Sequence, residues 1–137
     1  MKLSMAAELA IRGIVTLGEH FGQGPMTLED ICAQRNLPKQ YLVKLFGMLT
    51  RANLVEAVRG KGGGYVLARE PKGITLLDVI EAIEGPLAVN LCQYDVSRCD
   101  QESCAIRPVW DGIQKHVRAS LSTATLDQFL NGNGKSH

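Results

Sequence analysis

Residues 26–68 read MTLEDICAQRNLPKQYLVKLFGMLTRANLVEAVRGKGGGYVLA, and this stretch decides the fold. Thr27 is a plausible helix N-cap, with Asp30 as a shorter-armed version of the capping-box acid, so a short helix is expected to end near Arg35. Asn36-Leu37-Pro38 then predicts a tight turn, since a proline in the first turn of the next helix leaves no N–H unpaired. That next helix should run to about Ala52. Its apolar residues Leu42, Leu45, Phe46 and Leu49 share one face of a 3.6-residue period, which leaves Lys39, Gln40, Val43, Lys44, Gly47 and Arg51 on the other. Two β-type runs follow, Leu54 to Arg59 and Tyr65 to Ala68, separated by Gly60-Lys61-Gly62-Gly63-Gly64. A helix-turn-helix followed at once by a hairpin with a basic tip is a winged helix. The glycine run is not a nucleotide loop, because a Walker motif ends in Gly-Lys-Ser/Thr and opens a helix, whereas these glycines open a strand.

Outward from this centre, Met5 to Phe21 reads as a largely buried helix capped by Ser4, with Leu9, Ile11, Ile14, Val15 and Leu17 apolar and Gly22 and Gly24 ending it. Beyond the wing, Thr75 and Asp78 make a second capping pair for an apolar helix that stops at Gly85. A polar loop of about twenty residues comes next, a length that is uncommon unless the loop is functional or disordered. After Pro108, Ile106, Trp110, Ile113, Val117 and Leu121 form a long amphipathic stripe, which suits either a dimer seam or packing onto its own domain. Thr125 to Leu130 should form a last short helix. The expected fold is thus mainly α with a small β-hairpin: a winged helix-turn-helix over residues 1–72, a cysteine loop with a long C-terminal dimerisation helix over 73–130, and a mobile tail over 131–137.

With 137 residues, 45% hydrophobic and 21% charged, the chain suits one folded unit and excludes wholesale disorder. Glu8, Arg12 and Glu19 interrupt its apolar runs well short of the roughly 20 residues a membrane span needs, and Met1-Lys2-Leu3 opens no signal-peptide core, so a cytoplasmic location is expected. The net charge of +1 conceals a segregation. Residues 31–72 hold eight basic and two acidic residues, a net +6, and the remainder carries −5. A basic block in an otherwise acidic chain is what a polyanion partner requires, and charge alone equally suits a solvated lysine-rich surface.

Placed in a major groove, the third helix would offer Gln40 and Lys44 to base edges and Val43 to a thymine methyl, with Lys39 and Arg51 toward phosphates. At the wing, Arg59 and Lys61 are placed for a phosphate backbone or an adjacent minor groove. Double-stranded DNA is therefore the expected partner.

Cys92, Cys99 and Cys104, spaced C-x6-C-x4-C, sit among Asp95, Asp100, Gln101 and Glu102 rather than on an apolar stripe. They read as ligands. An iron-sulfur cluster accepts such wide spacing; a thiol-disulfide switch and a zinc site are the alternatives, although zinc usually takes four ligands in close pairs and no CxxC pair is present. The missing CxxC also argues against a redox enzyme. Cys32, between Ile31 and Ala33, reads as core; His116 reads as surface, and His20 and His137 have no evident partner.

The run Val58-Arg59-Gly60-Lys61-Gly62-Gly63-Gly64-Tyr65, the opening Met1-Lys2-Leu3-Ser4 and the three-cysteine loop resemble the IscR and NsrR family of winged-helix regulators across essentially the whole chain. The resemblance implies a non-enzymatic transcription regulator, often a repressor, that is a homodimer crossed by its long C-terminal helices. It implies a [2Fe-2S] or [4Fe-4S] cluster held by Cys92, Cys99 and Cys104 and promoter binding that depends on cluster state; a two-fold dimer in turn predicts a pseudo-palindromic operator. It also implies Gln40, Val43 and Lys44 against bases and Arg59 in a minor groove. Two positions depart from the IscR pattern. Arg107 stands where a ligating histidine is expected, and a guanidinium stays protonated and cannot bind iron. NsrR-like proteins use a carboxylate early in the partner's first helix, which makes Glu8 the expected fourth ligand, with Glu102 and Asp100 as local alternatives. Val43 replaces a cytosine-reading glutamate, so a different operator preference is expected. A same-fold regulator without a cluster, acting by cysteine oxidation or through a metabolic partner protein, is the alternative.

Overall fold

The computed structural model describes residues 3–88 and 105–130. Five helices and one hairpin follow in order: α1 (Met5–Glu19), α2 (Leu28–Arg35), α3 (Lys39–Arg51), β1 (Val55–Val58), β2 (Gly64–Leu67), a 3-10 turn (Pro71–Gly73), α4 (Leu76–Glu84), α5 (Arg107–Thr123) and a closing 3-10 turn (Leu126–Phe129). The expected mainly α fold with one antiparallel hairpin is the one observed. Among the described residues, no helix is long and apolar enough to cross a bilayer.

Three hydroxyls begin three of the helices. Ser4 accepts from the Ala7 N–H at 3.1 Å, Thr27 from the Asp30 N–H at 3.1 Å, and Thr75 from the Asp78 N–H at 3.0 Å. At α4 the capping box is reciprocal, since the Asp78 carboxylate takes the Thr75 N–H at 3.0 Å. Each bond satisfies an N–H that the first helical turn would otherwise leave unpaired.

α1 is the central rod. Ala7, Ala10 and Ile14 are wholly buried, and the helix touches α2, α3, α4, β2 and the closing turn. Small residues set how near its neighbours come. A Cβ on Gly13 would stand 2.8 Å from Cε1 of Phe46, so the α3 ring lies directly on the α1 backbone there. One turn further on, Leu126 and Leu130 sit over Gly18. The closing turn is stitched to the start of α4 by Leu76 N–H to Ala124 C=O at 2.9 Å and Leu126 N–H to Ile74 C=O at 2.8 Å. Ile74, Val79 and Leu126 consequently share one core with Ile14, Ile31, Leu42 and Phe46.

Ends differ from expectation by a residue or two. α1 stops at Glu19 rather than Phe21, and the segment expected as a last helix is a four-residue 3-10 turn. α5 follows its amphipathic pattern yet contains no buried residue: Val109 and Ile113 are exposed beside Ile106, while Val117 and Leu121 are half-buried near α4.

Gly13 and Gly112 provide a test of this packing. Nothing stands within 4 Å of a Cβ built on Gly112, so Gly112→Ala should stabilise the chain by about 1 kcal/mol through helix propensity. Gly13→Ala should instead destabilise it, because an overpacking cost of about 1–3 kcal/mol outweighs that gain. Urea denaturation of the two variants measures both signs.

Candidate nucleic-acid interface

The turn between α2 and α3 is set by two backbone features. Asn36 adopts the left-handed conformation (φ 54°), and Leu37 N–H bonds to Cys32 C=O at 2.9 Å while its side chain is buried. Pro38 follows in extended conformation immediately before Lys39, which starts α3. Leu42, Leu45, Phe46 and Leu49 are buried, and Lys39, Gln40, Val43, Lys44 and Arg51 are exposed. Val43 is half exposed in the middle of this polar face, an apolar group available to a thymine methyl. Arg51 lies back toward Gly47, whose missing side chain leaves that room.

The hairpin pairs Val55 with Leu67, Glu56 with Val66, Ala57 with Tyr65 and Val58 with Gly64. Its tip carries exposed Arg59 and Lys61, between Gly60 (φ 92°) and Gly62 (φ 80°). Two contacts moor this wing to the helix-turn-helix. Tyr65 exchanges both backbone bonds with Met26, just before α2, at 2.7 and 3.0 Å. Gly64 permits that approach, since a Cβ there would lie 2.2 Å from Met26 O. The Tyr65 ring also meets the Phe46 ring edge-on, with centroids 5.0 Å apart. The wing and α3 are thereby joined through Met26, Tyr65 and Phe46.

Charge on that unit is unevenly free. Lys39 Nζ lies 2.6 Å from the Glu29 carboxylate across the turn, and this hydrogen bond, with the Lys39 charge, holds the Glu29 carboxyl below the usual carboxylate range. The Glu29 carboxylate is therefore ionised at neutral pH, and the pair is lost as pH falls through that depressed value. Among the described residues, Lys44, Arg51, Arg59 and Lys61 have no such partner. Tyr41, exposed in the first turn of α3, adds a hydroxyl able to meet a phosphate. Reading by charge passes over it; its helical phase, at the margin of the exposed face, is the available signal.

Cys92, Cys99 and Cys104, with Asp100 and Glu102, lie outside the described residues, as does the tail over 131–137. Glu8 is on the first turn of α1, roughly half exposed, with its carboxylate 3.9 Å from Arg12. Arg107 is the first residue of α5. Among the described residues, no group of three or more His, Cys, Asp or Glu side chains could hold a metal ion. Cys32 is buried and free, and burial pushes its thiol up. His116 is exposed and His20 follows the last turn of α1.

The family Rrf2, described as an iron-dependent transcriptional regulator, matches residues 3–132. The chain is 35% identical to the HTH-type transcriptional regulator CymR of Bacillus subtilis over 129 residues, covering 94% of this chain and 89% of that protein. The structure of CymR, titled the global cysteine regulator of B. subtilis, superposes with a TM-score of 0.80 over 94% of this chain and 95% of that one, at 33% identity. The structure of T. potens IscR gives 0.80 over 100% and 91% at 30% identity. Staphylococcus aureus CymR in its oxidized form gives 0.75 over 96% and 97% at 29% identity.

The Lys39–Glu29 pair makes a distinct prediction. Glu29→Ala should free Lys39 and remove a negative charge, so DNA binds more tightly and the slope of log K against log salt steepens by about 0.9 for each protomer bound, one further phosphate contact apiece. Fluorescence anisotropy with a DNA duplex at several salt concentrations measures it. An unchanged slope would mean that Lys39 already meets phosphate in the parent protein.

Proposed function

The chain belongs to the Rrf2 family of transcriptional regulators, and from that premise we propose that it is a cytoplasmic homodimer that binds a pseudo-palindromic operator and senses redox or iron status through Cys92, Cys99 and Cys104. It is a DNA-binding regulator and not an enzyme. The observation that carries the DNA-reading part is the mooring of the wing to α3 through Met26, Gly64, Tyr65 and Phe46, which holds Gln40, Val43, Lys44 and Arg59 in one fixed arrangement. Gln40, Val43 and Lys44 take the base edges and Arg59 a minor groove, while Arg51, Lys61 and, once released from Glu29, Lys39 neutralise phosphates. Dimerisation through the uncovered apolar side of α5, Ile106, Val109 and Ile113, gives the two-fold symmetry that such an operator mirrors.

The donor set fits an iron-sulfur cluster. Three thiols are available in sequence, Arg107 supplies no ligand, and Glu8 has an accessible carboxylate that lies 3.9 Å from Arg12. Cys92, Cys99 and Cys104 would hold the cluster and the partner subunit's Glu8 the fourth position, and the cluster would supply a centre that answers to oxidation, nitric oxide or iron loss. The second reading is a thiol switch without a cluster, or control by a metabolic partner protein; it is supported by the likeness to the CymR proteins, of which that of S. aureus has a structure in an oxidized form.

Anaerobic purification separates the two readings. A brown protein containing iron and sulfide supports the cluster, and Glu8→Ala should then change its visible spectrum or lifetime in air. A colourless protein lacking both would leave the thiol switch. For the interface, Lys61→Ala should lower the salt slope by about 0.9 for each protomer bound and weaken all sequences alike. Gln40→Ala should instead lose about 1–3 kcal/mol of discrimination at one base pair of each half-site. A binding titration against single-substitution operators reads that difference.

A further inference from the structure

The cysteine-bearing part of the chain has two stems. Leu87 precedes Cys92 by five positions, and α5 begins three positions after Cys104. One atom holds both stems: Oε2 of Glu81 accepts from the Leu87 backbone N–H at 2.8 Å and from the Arg118 guanidinium of α5. Three residues further along α4, the Glu84 carboxylate takes the Ser4 N–H at 2.9 Å and so fixes the start of α1, the helix of Glu8. The other end of α4 is equally tied. Asp78 closes the capping box with Thr75 and lies 3.8 Å from Arg69, two residues beyond the wing strand β2. Between these ends, Val79 and Ile80 are buried where α4 packs on α1 and α3.

We propose that Glu81 is the positioning residue that couples the cysteine-bearing segment to the DNA-reading unit, by holding both stems of that segment on α4. The proposal rests on the reading that this segment is the sensor. Its physical basis is topology rather than bond strength. Both Glu81 and Arg118 are partly exposed, and pairs of that kind contribute little to stability. What the carboxylate contributes is a constraint: neither Leu87 nor α5 can shift without moving α4 or breaking the bond. α4 has little freedom to absorb the shift, because its own first turn is capped and its apolar face is packed against α1 and α3.

The test compares operator affinity in two states of the full-length protein, purified anaerobically and then treated with hydrogen peroxide. The quantity read is the ratio of the two dissociation constants, for which couplings of about 5–150-fold are usual. Glu81→Ala should stay folded and bring the ratio close to one. Glu81→Gln keeps an acceptor for Leu87 but loses the charged partner of Arg118, and should fall between. Amide hydrogen exchange at Leu87 should quicken in Glu81→Ala and much less in Glu81→Gln. A Glu81→Ala ratio equal to the parent's, whether or not both affinities drop together, overturns the proposal alone. A parent ratio of one overturns the sensing reading and this proposal with it.

Discussion

The arrangement of the wing against the helix-turn-helix depends on one close approach, that of the Gly64–Tyr65 backbone to Met26. A two-stranded hairpin is at best marginal in water on its own. Here it gains a third backbone partner at Met26 and an aromatic contact at Phe46, the same ring that rests on Gly13 of α1. The chain thus runs from central rod to recognition helix to wing through two residues without side chains and two rings. Enlarging Gly13 pushes α3 away from α1, and enlarging Gly64 pushes the wing away from the start of α2.

This constraint was only partly legible in the sequence. The helix starts at Ser4, Thr27 and Thr75 could be read because a cap is a local bond between residues three apart, and the buried face of α3 because its period is local too. The role of Gly64 could not be so read. In the chain it is one of three consecutive glycines, and what distinguishes it is a neighbour 38 positions away. The Lys39–Glu29 pair escaped for a related reason: the two residues are on different helices, and only the angle set by Asn36 and Leu37 brings them together. The proposed ligands illustrate the opposite case. Cys92, Cys99 and Cys104 are conspicuous by composition alone, whereas Glu8 resembles any surface acid on a helix.

Charge segregation acquires a finer meaning from the same pairings. Of the eight basic residues between 31 and 72, Arg35 is held by Glu19, Lys39 by Glu29 and Arg69 by Asp78. Those three join elements to each other, whereas Lys44, Arg51, Arg59 and Lys61 present their charge outward from α3 and the wing, and Lys72 from the 3-10 turn beyond it. The formal +6 therefore overstates what a duplex meets. Only unpaired cations release counterions at no internal cost, so the salt dependence of binding should follow the free set rather than the composition.

The acidic remainder has a structural use of the same kind. Glu81, Glu84 and Asp78 all belong to α4, a helix of nine residues, and each accepts from a different element or cap. A short helix held only by its apolar face could slide or rotate against α1 and α3 at small cost, since apolar contacts are not directional. Hydrogen-bonded carboxylates at both ends add direction. They define where α4 stands relative to the wing exit, the start of α1 and α5, so a change at one end of the helix has a specified consequence at the other.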